Sequence, residues 1–274
     1  MRLLNTESLE LEFFPTDEKP LYAILSHTWG PEEVLYDDAR EGPVKLRACS
    51  KKGLRKVLKS ADIARNDGYQ YVWIDTCCID KSSSAELSEA INSMFSWYRK
   101  AHICYAFLED YTHRGNTKQL ASRWFTRGWT LQELIAPLDV QFYDSSWTWF
   151  GDKQFLSADI ARITTIDERL LKFTITRSPQ CDNKNEHQDV PEEIKACRIC
   201  RQEALPASTR LIQAYSISTK MSWAAARETT RVEDIAYCMM GIFDVNMPLL
   251  YGEGIKAFRR LQEEIVRRSN DQTI

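Results

Sequence analysis

Short apolar runs alternate with longer stretches of helical period through the first half of the chain. Tyr22-Ala23-Ile24-Leu25-Ser26 is an apolar run that ends in polar His27-Thr28 and then Gly30-Pro31, the pattern of a buried strand emptying into a loop. A helix is predicted from about Gly53 to Asn66, with Leu54, Val57, Leu58, Ala61 and Ala64 at helical spacing and Gly68 placed to end it. Tyr71-Val72-Trp73-Ile74 reads as the next strand and delivers Asp75, Thr76, Cys77 and Cys78 at its C-terminal end. Ser83 with Glu86 has the form of a capping box, and Leu87, Ile91, Met94, Phe95 and Tyr98 then trace one apolar helix face. Ile103 to Leu108 predicts a third strand and Val140 to Tyr143 a fourth. This alternation predicts an α/β fold with a mostly parallel sheet flanked by helices, because parallel neighbours need a crossover. Ligands of such sheets sit outside the carboxyl ends of the strands, which here carry Ser26-His27, Asp75-Thr76-Cys77 and the loop before Arg127.

The pattern changes after residue 175. Residues 176–210 are polar and poor in long apolar side chains, and are expected to be an insertion or linker between an α/β core (1–175) and a C-terminal helical part of the same domain (211–274). Thr230 and Glu233 have capping-box spacing ahead of Ile235, Ala236, Met239 and Met240, and a last helix places Phe258, Leu261 and Ile265 on one face. That helix stops at Ser269-Asn270-Asp271 with no evident terminus, so the chain is expected to be part of a longer protein.

Composition narrows the classes. Hydrophobic residues make up 43% of the 274, enough for a real core, and a net charge of -3 with mixed signs leaves no footprint for nucleic acid or an anionic membrane. No apolar run is long enough to span a bilayer and the N-terminus lacks a secretory pattern, so a soluble, cytoplasmic protein without membrane insertion is expected. The eight cysteines are then expected to be thiols. Cys197-x-x-Cys200, with Cys181 and His187 upstream, leaves a zinc knuckle open, but the Cys181–His187 spacing fits no common finger and no metal is expected.

The densest chemistry lies in Ser122 to Pro137, SRWFTRGWTLQELIAP. On a helix beginning near Gly128, Trp129 and Glu133 fall on one face, an aromatic plate beside a carboxylate, and Pro137 closes the segment. The bland alternative makes Trp129, Leu131 and Leu134 core and Glu133 a solvated surface acid.

YAILSHTWG at 22–30, VWIDTCCIDK at 72–81, RGWTLQELIAP at 127–137 and MSWAAARETTRVEDIAYCMMGIFDVNMPLLYGEG at 221–254 together resemble the fungal heterokaryon-incompatibility (HET) domain. That resemblance implies a cell-death effector of non-self recognition, often carried at the N-terminus of a larger receptor with a nucleotide-binding oligomerisation domain and a repeat sensor. HET domains in turn look like distant relatives of TIR domains, which implies a TIR-like (flavodoxin-like) sheet. Trp129 and Glu133-Leu134 resemble the tryptophan and catalytic glutamate-leucine pair of a TIR-type NAD hydrolase, and YAILSHTWG looks like the first TIR strand and loop.

On this reading NAD is a substrate and no cofactor is needed; no Gly-x-Gly-x-x-Gly fingerprint is present. Glu133 is the expected catalytic carboxylate, Trp129 or Trp124 stacks on a ring, Arg123 or Arg127 forks onto the pyrophosphate, and Ser26, His27, Asp75 and Cys77 line the strand ends. Two other readings stay open. Ser26-His27 beside Asp75 or Cys77 could form a nucleophile and base, although neighbours on a strand face opposite sides. The other is a non-catalytic module whose Trp, Arg and Glu residues form a homotypic interface.

Overall fold

The computed structural model describes residues 1–15, 19–115, 120–173, 175–176, 197–268 and 271. Its centre is a seven-stranded sheet of β1 (Arg2–Asn5), β2 (Leu11–Phe13), β3 (Tyr22–His27), β4 (Tyr71–Trp73), β5 (Ile103–Phe107), β6 (Val140–Tyr143) and β7 (Trp149–Asp152), in the order β2-β1-β4-β3-β5-β6-β7. The four strands expected from their apolar runs form the parallel middle, β4-β3-β5-β6. β1, β2 and β7 add antiparallel edges that the apolar pattern did not mark, each only three or four residues long.

All six residues of β3 are buried, as a strand covered on both faces must be. The chain leaves β3 through helix Leu54–Asn66 to β4 on one side, then returns through helix Ser84–Lys100 to β5 on the other. The strand order therefore switches direction at β3, and the carboxyl ends of β3, β4 and β5 open onto one crevice. Ser83 caps its helix as its spacing predicted, its hydroxyl accepting from the Glu86 amide at 3.3 Å. Asp75–Cys78, delivered at the C-terminal end of β4, form one short helical turn.

The second capping box does not form. Thr230 and Glu233 precede only a four-residue helix, Asp234–Tyr237, and the Glu233 carboxylate accepts from the backbone amides of Gly252 (2.8 Å) and Gly254 (2.9 Å). Those amides belong to glycines with positive φ, which aim them at one acceptor. At the end of the expected insertion, Arg198–Gln213 is a helix whose Cys200 and Ala204 pack with Leu138 and Ile175. Residues 177–196, including Cys181 and His187, lie outside the described residues. The final helix, Lys256–Arg268, buries Ala257, Leu261 and Ile265. One hydrophobic core joins both ends of the chain, from Leu3 to Ile265.

Candidate functional site

The stretch around Glu133 is held by a distant one. The Gly128 amide donates to Glu228 O (2.9 Å) and the Glu228 amide donates to Thr126 O (2.7 Å), an isolated β-bridge that ties the two segments together. Gly128 has to be glycine here, since a Cβ would lie 2.4 Å from Thr229 Cγ2. Buried Arg227 reinforces the join, its guanidinium donating to Arg127 O (2.8 Å) and Thr130 Oγ1 (3.0 Å). The helix that follows, Thr130–Ile135, is buried on every side.

Glu133 is therefore no surface acid. It is 7% exposed, and its remaining exposure faces a cavity of about 390 Å³. Behind it, the Ser26 hydroxyl donates to the Glu133 carboxyl and accepts from Trp124 Nε1 at 2.8 Å. The Tyr98 hydroxyl also bonds Glu133, while lying 3.0 Å from Leu25 O as a donor. Burial, with the nearby charge of Asp75, pushes the Glu133 carboxyl up to about 8 against the opposing pull of Ser26, Tyr98 and Arg127.

Across the cleft, His27 and Asp75 form a second unit. Asp75 accepts from Trp29 Nε1 (2.7 Å) through one oxygen and bonds His27 Nε2 (3.1 Å) through the other. Burial raises the Asp75 carboxyl, but His27, Lys81 and Trp29 outweigh it and leave it below the usual carboxylate range. Ser26 and His27 thus serve different partners on opposite faces of β3, so a Ser26–His27 proton relay has no geometry here. The loop carrying Trp29 is pinned below by buried Lys56, which donates to Thr28 O (3.0 Å) and pairs with Glu33 (2.6 Å).

Of the residues expected at the site, His27, Asp75, Arg127, Trp129 and Glu133 line the cavity. The others do not reach it. Trp124 is fully buried and orients Ser26, so it has no free face for a ligand ring. Ser26 is fully buried and touches Glu133 from behind. Cys77 is wholly buried, with its thiol directed to Ile74 O at 3.9 Å and its acidity suppressed by its hydrogen bond to Cys78 and by burial. Arg123 is exposed beside Asp110, 3.7 Å away.

The cavity also contains residues that the sequence reading passed over. Trp29 and Lys81 lie at or next to the ends of the 22–30 and 72–81 motifs, and Thr230, Arg231, Asp234 and Tyr251 come from the C-terminal part. Asp234 bonds both Trp129 and Tyr251, while burial raises its carboxyl above the ordinary value. Ile79, Leu87, Ile91 and Met94 supply an apolar wall. Two indoles, Trp29 and Trp129, are each held by a carboxylate; Lys81 covers the Trp29 ring, so Trp129 is the indole with flat apolar surface open to a ligand ring. Cys197 and Cys200 do not line this cavity, and among the described residues no cluster of three or more His, Cys, Asp or Glu side chains could hold a metal ion. Among the same residues no helix is long and apolar enough to cross a membrane.

Residues 22–122 match the family described as Heterokaryon incompatibility protein (HET). Over 263 residues the chain is 43% identical to Vegetative incompatibility protein HET-E-1 of Podospora anserina, an alignment covering 92% of this chain and 16% of that protein. The chain thus spans about a sixth of the length of the curated relative it matches. No solved structure matches it. With the family pattern running from β3 past β5 and a close relative matching across the rest, the chain belongs to the heterokaryon-incompatibility domain family.

Proposed function

We propose that this domain is a cell-death effector of fungal heterokaryon incompatibility that acts by cleaving NAD in the Glu133 cleft, in the manner of the TIR-type hydrolases its Trp129 and Glu133-Leu134 resemble. The observation that carries the reading is the environment of Glu133, an ionisable group buried at the cavity wall and braced from behind by Ser26. Buried, oriented carboxyl groups of displaced pKa in a cleft are characteristic of catalytic sites.

The chemistry asks little of the protein. The bond between ribose C1′ and the pyridinium nitrogen breaks, and its electron pair goes to the nitrogen, so nicotinamide leaves neutral without being protonated. Positive charge then develops on the ribose, where an ionised Glu133 stabilises it. Water adds to C1′ and loses a proton to the carboxylate, giving ADP-ribose. Glu133 must be ionised to serve, and the positive charge of the bound pyridinium pulls its pKa down from the value set by burial. Trp129 offers the surface on which the nicotinamide ring lies.

In the cell, activity follows self-assembly, because tethering copies raises their effective concentration into the millimolar range for short linkers. The test is NAD consumption and cell killing by wild type and Glu133→Gln. The variant is expected to lose on the order of a hundredfold in rate or more, by analogy with loss of one transition-state hydrogen-bond donor. If a folded Glu133→Gln kills as well as wild type, the domain works as a homotypic interaction module and the enzymatic reading is wrong.

A further inference from the structure

One cation in the cleft has no hydrogen-bond partner among the described residues. Lys81 follows the turn after β4 and lines the cavity with its ammonium covering the Trp29 indole, Nζ lying 3.5 Å from the ring centroid. That nitrogen is buried and has no hydrogen-bond partner among the described residues. The carboxylates close enough to feel its charge, Asp75 and Glu33, are already engaged. Asp75 spends one oxygen on Trp29 and the other on His27. Glu33 receives Lys56 at 2.6 Å and the Gly30 amide at 2.7 Å through the same oxygen.

A shielded ammonium with three unused donors is costly to maintain, and the indole face compensates for only part of that cost. Ligand oxygens entering the cavity would supply the missing acceptors. The opposite rim carries two further cations that approach from the bridged segments: Arg127, within 3.3 Å of Thr230 Oγ1, and Arg231, 4.5 Å from the centre of the Tyr251 ring. Neither of these two guanidinium groups makes an ion pair with a carboxylate among the described contacts.

We propose that Lys81, seated on Trp29, binds a phosphate oxygen of the ligand, and that this makes the cleft selective for nucleoside diphosphates and dinucleotides over the uncharged nucleoside. The assignment deepens the NAD reading and rests on it for the substrate. The anion site itself depends only on the cation geometry. Lys81 holds the phosphate end, while Glu133 faces the ribose that reacts. Lys81 is thus a binding and specificity residue, and Glu133 keeps the chemistry.

The experiment measures binding of ADP-ribose, ADP, pyrophosphate and adenosine by calorimetry to the intact domain and to Lys81→Met and Lys81→Arg, with NAD turnover followed in parallel. Methionine matches the length of the lysine stem in an apolar setting, and the melting temperature reports its fold. Lys81→Met should weaken ADP-ribose and ADP by tenfold or more and flatten their salt dependence, while leaving adenosine within twofold. Lys81→Arg should recover part of the loss. A folded Lys81→Met that binds ADP-ribose within twofold of wild type overturns the proposal, as does wild type that binds none of the phosphate ligands. Pyrophosphate bound as tightly as ADP would mark a simple anion site and overturn the nucleotide selectivity. The two readings fail separately: NAD turnover with unchanged ADP-ribose affinity in Lys81→Met retains the enzyme and sinks this assignment, and Lys81-dependent ADP-ribose binding without turnover does the reverse.

Discussion

Replacing Glu133 by Gln should make the protein more stable in alkali while removing its activity, and the size of the gain follows from the burial of the carboxyl. In the unfolded chain a glutamate ionises near 4.5, whereas in the fold Glu133 holds its proton to about 8. Between those values the folded state binds more protons than the unfolded one, so stability falls as pH rises through the window. Each pKa unit corresponds to about 1.36 kcal/mol, so wild type should lose roughly 2 to 3 kcal/mol through this one group between pH 6 and pH 9. Glutamine cannot ionise and keeps the shape, so Glu133→Gln lacks that loss. At about 2–4 °C per kcal/mol for a chain of this size, its melting temperature should fall less than that of wild type over the same range by roughly 5 to 10 °C.

Buried Lys153 also titrates near 8, because burial lowers its pKa, and it donates to Leu134 O and Pro137 O at the end of the same helix. It is present in both proteins and cancels from the difference. Scanning calorimetry of both proteins in matched buffers gives the comparison directly. Melting curves that stay parallel within about 2 °C from pH 6 to 9 would show that Glu133 is ionised in the fold and refute the argument from burial.

Two further substitutions test the frame around the site. Gly128→Ala places a Cβ against Thr229 Cγ2 and should cost about 1 to 3 kcal/mol in denaturant unfolding; Thr229→Ser removes that methyl and should recover part of the loss in a double-mutant cycle, whereas simple additivity would show that the close approach is not the cause. Ser26→Ala leaves Trp124 Nε1 without an acceptor and takes one stabilising donor from Glu133, so it should cost about 1 to 3 kcal/mol and move the rising limb of the pH–rate profile to higher pH. An unmoved limb would mean that Ser26 does not tune Glu133.

The parallel middle of the sheet was legible because β3 and β5 are buried on both faces and read as unbroken apolar runs. β1, β2 and β7 were not, since RLLN, LEF and WFGD break their few apolar residues with polar ones or glycine and leave no run or period to read. The burial of Glu133 was hidden for a related reason. A six-residue helix buried on every side has no polar face, so its one acid looks like any acid on a short segment. The Thr230–Glu233 pattern misled because a capping box is local chemistry, and here Glu233 is taken by two backbone amides about twenty residues away. The cavity itself showed only in part. Trp129, Glu133, His27 and Asp75 were named from strand ends and spacing; Trp29 and Lys81, a few residues beyond the ends of β3 and β4, carry no pattern of their own, and Asp234 becomes a site residue only when the bridge at Glu228 brings the last quarter of the chain over the crevice.

That bridge also sets an order of events in time. A chain emerging from the ribosome builds its sheet from residues before 153 but has no far wall to the cleft until Thr230, Arg231, Asp234 and Tyr251 have been made. If the cleft is what kills, a half-made copy is harmless to the cell making it, and expression of a chain stopped after residue 210 should be tolerated at transcript levels where the complete domain is lethal.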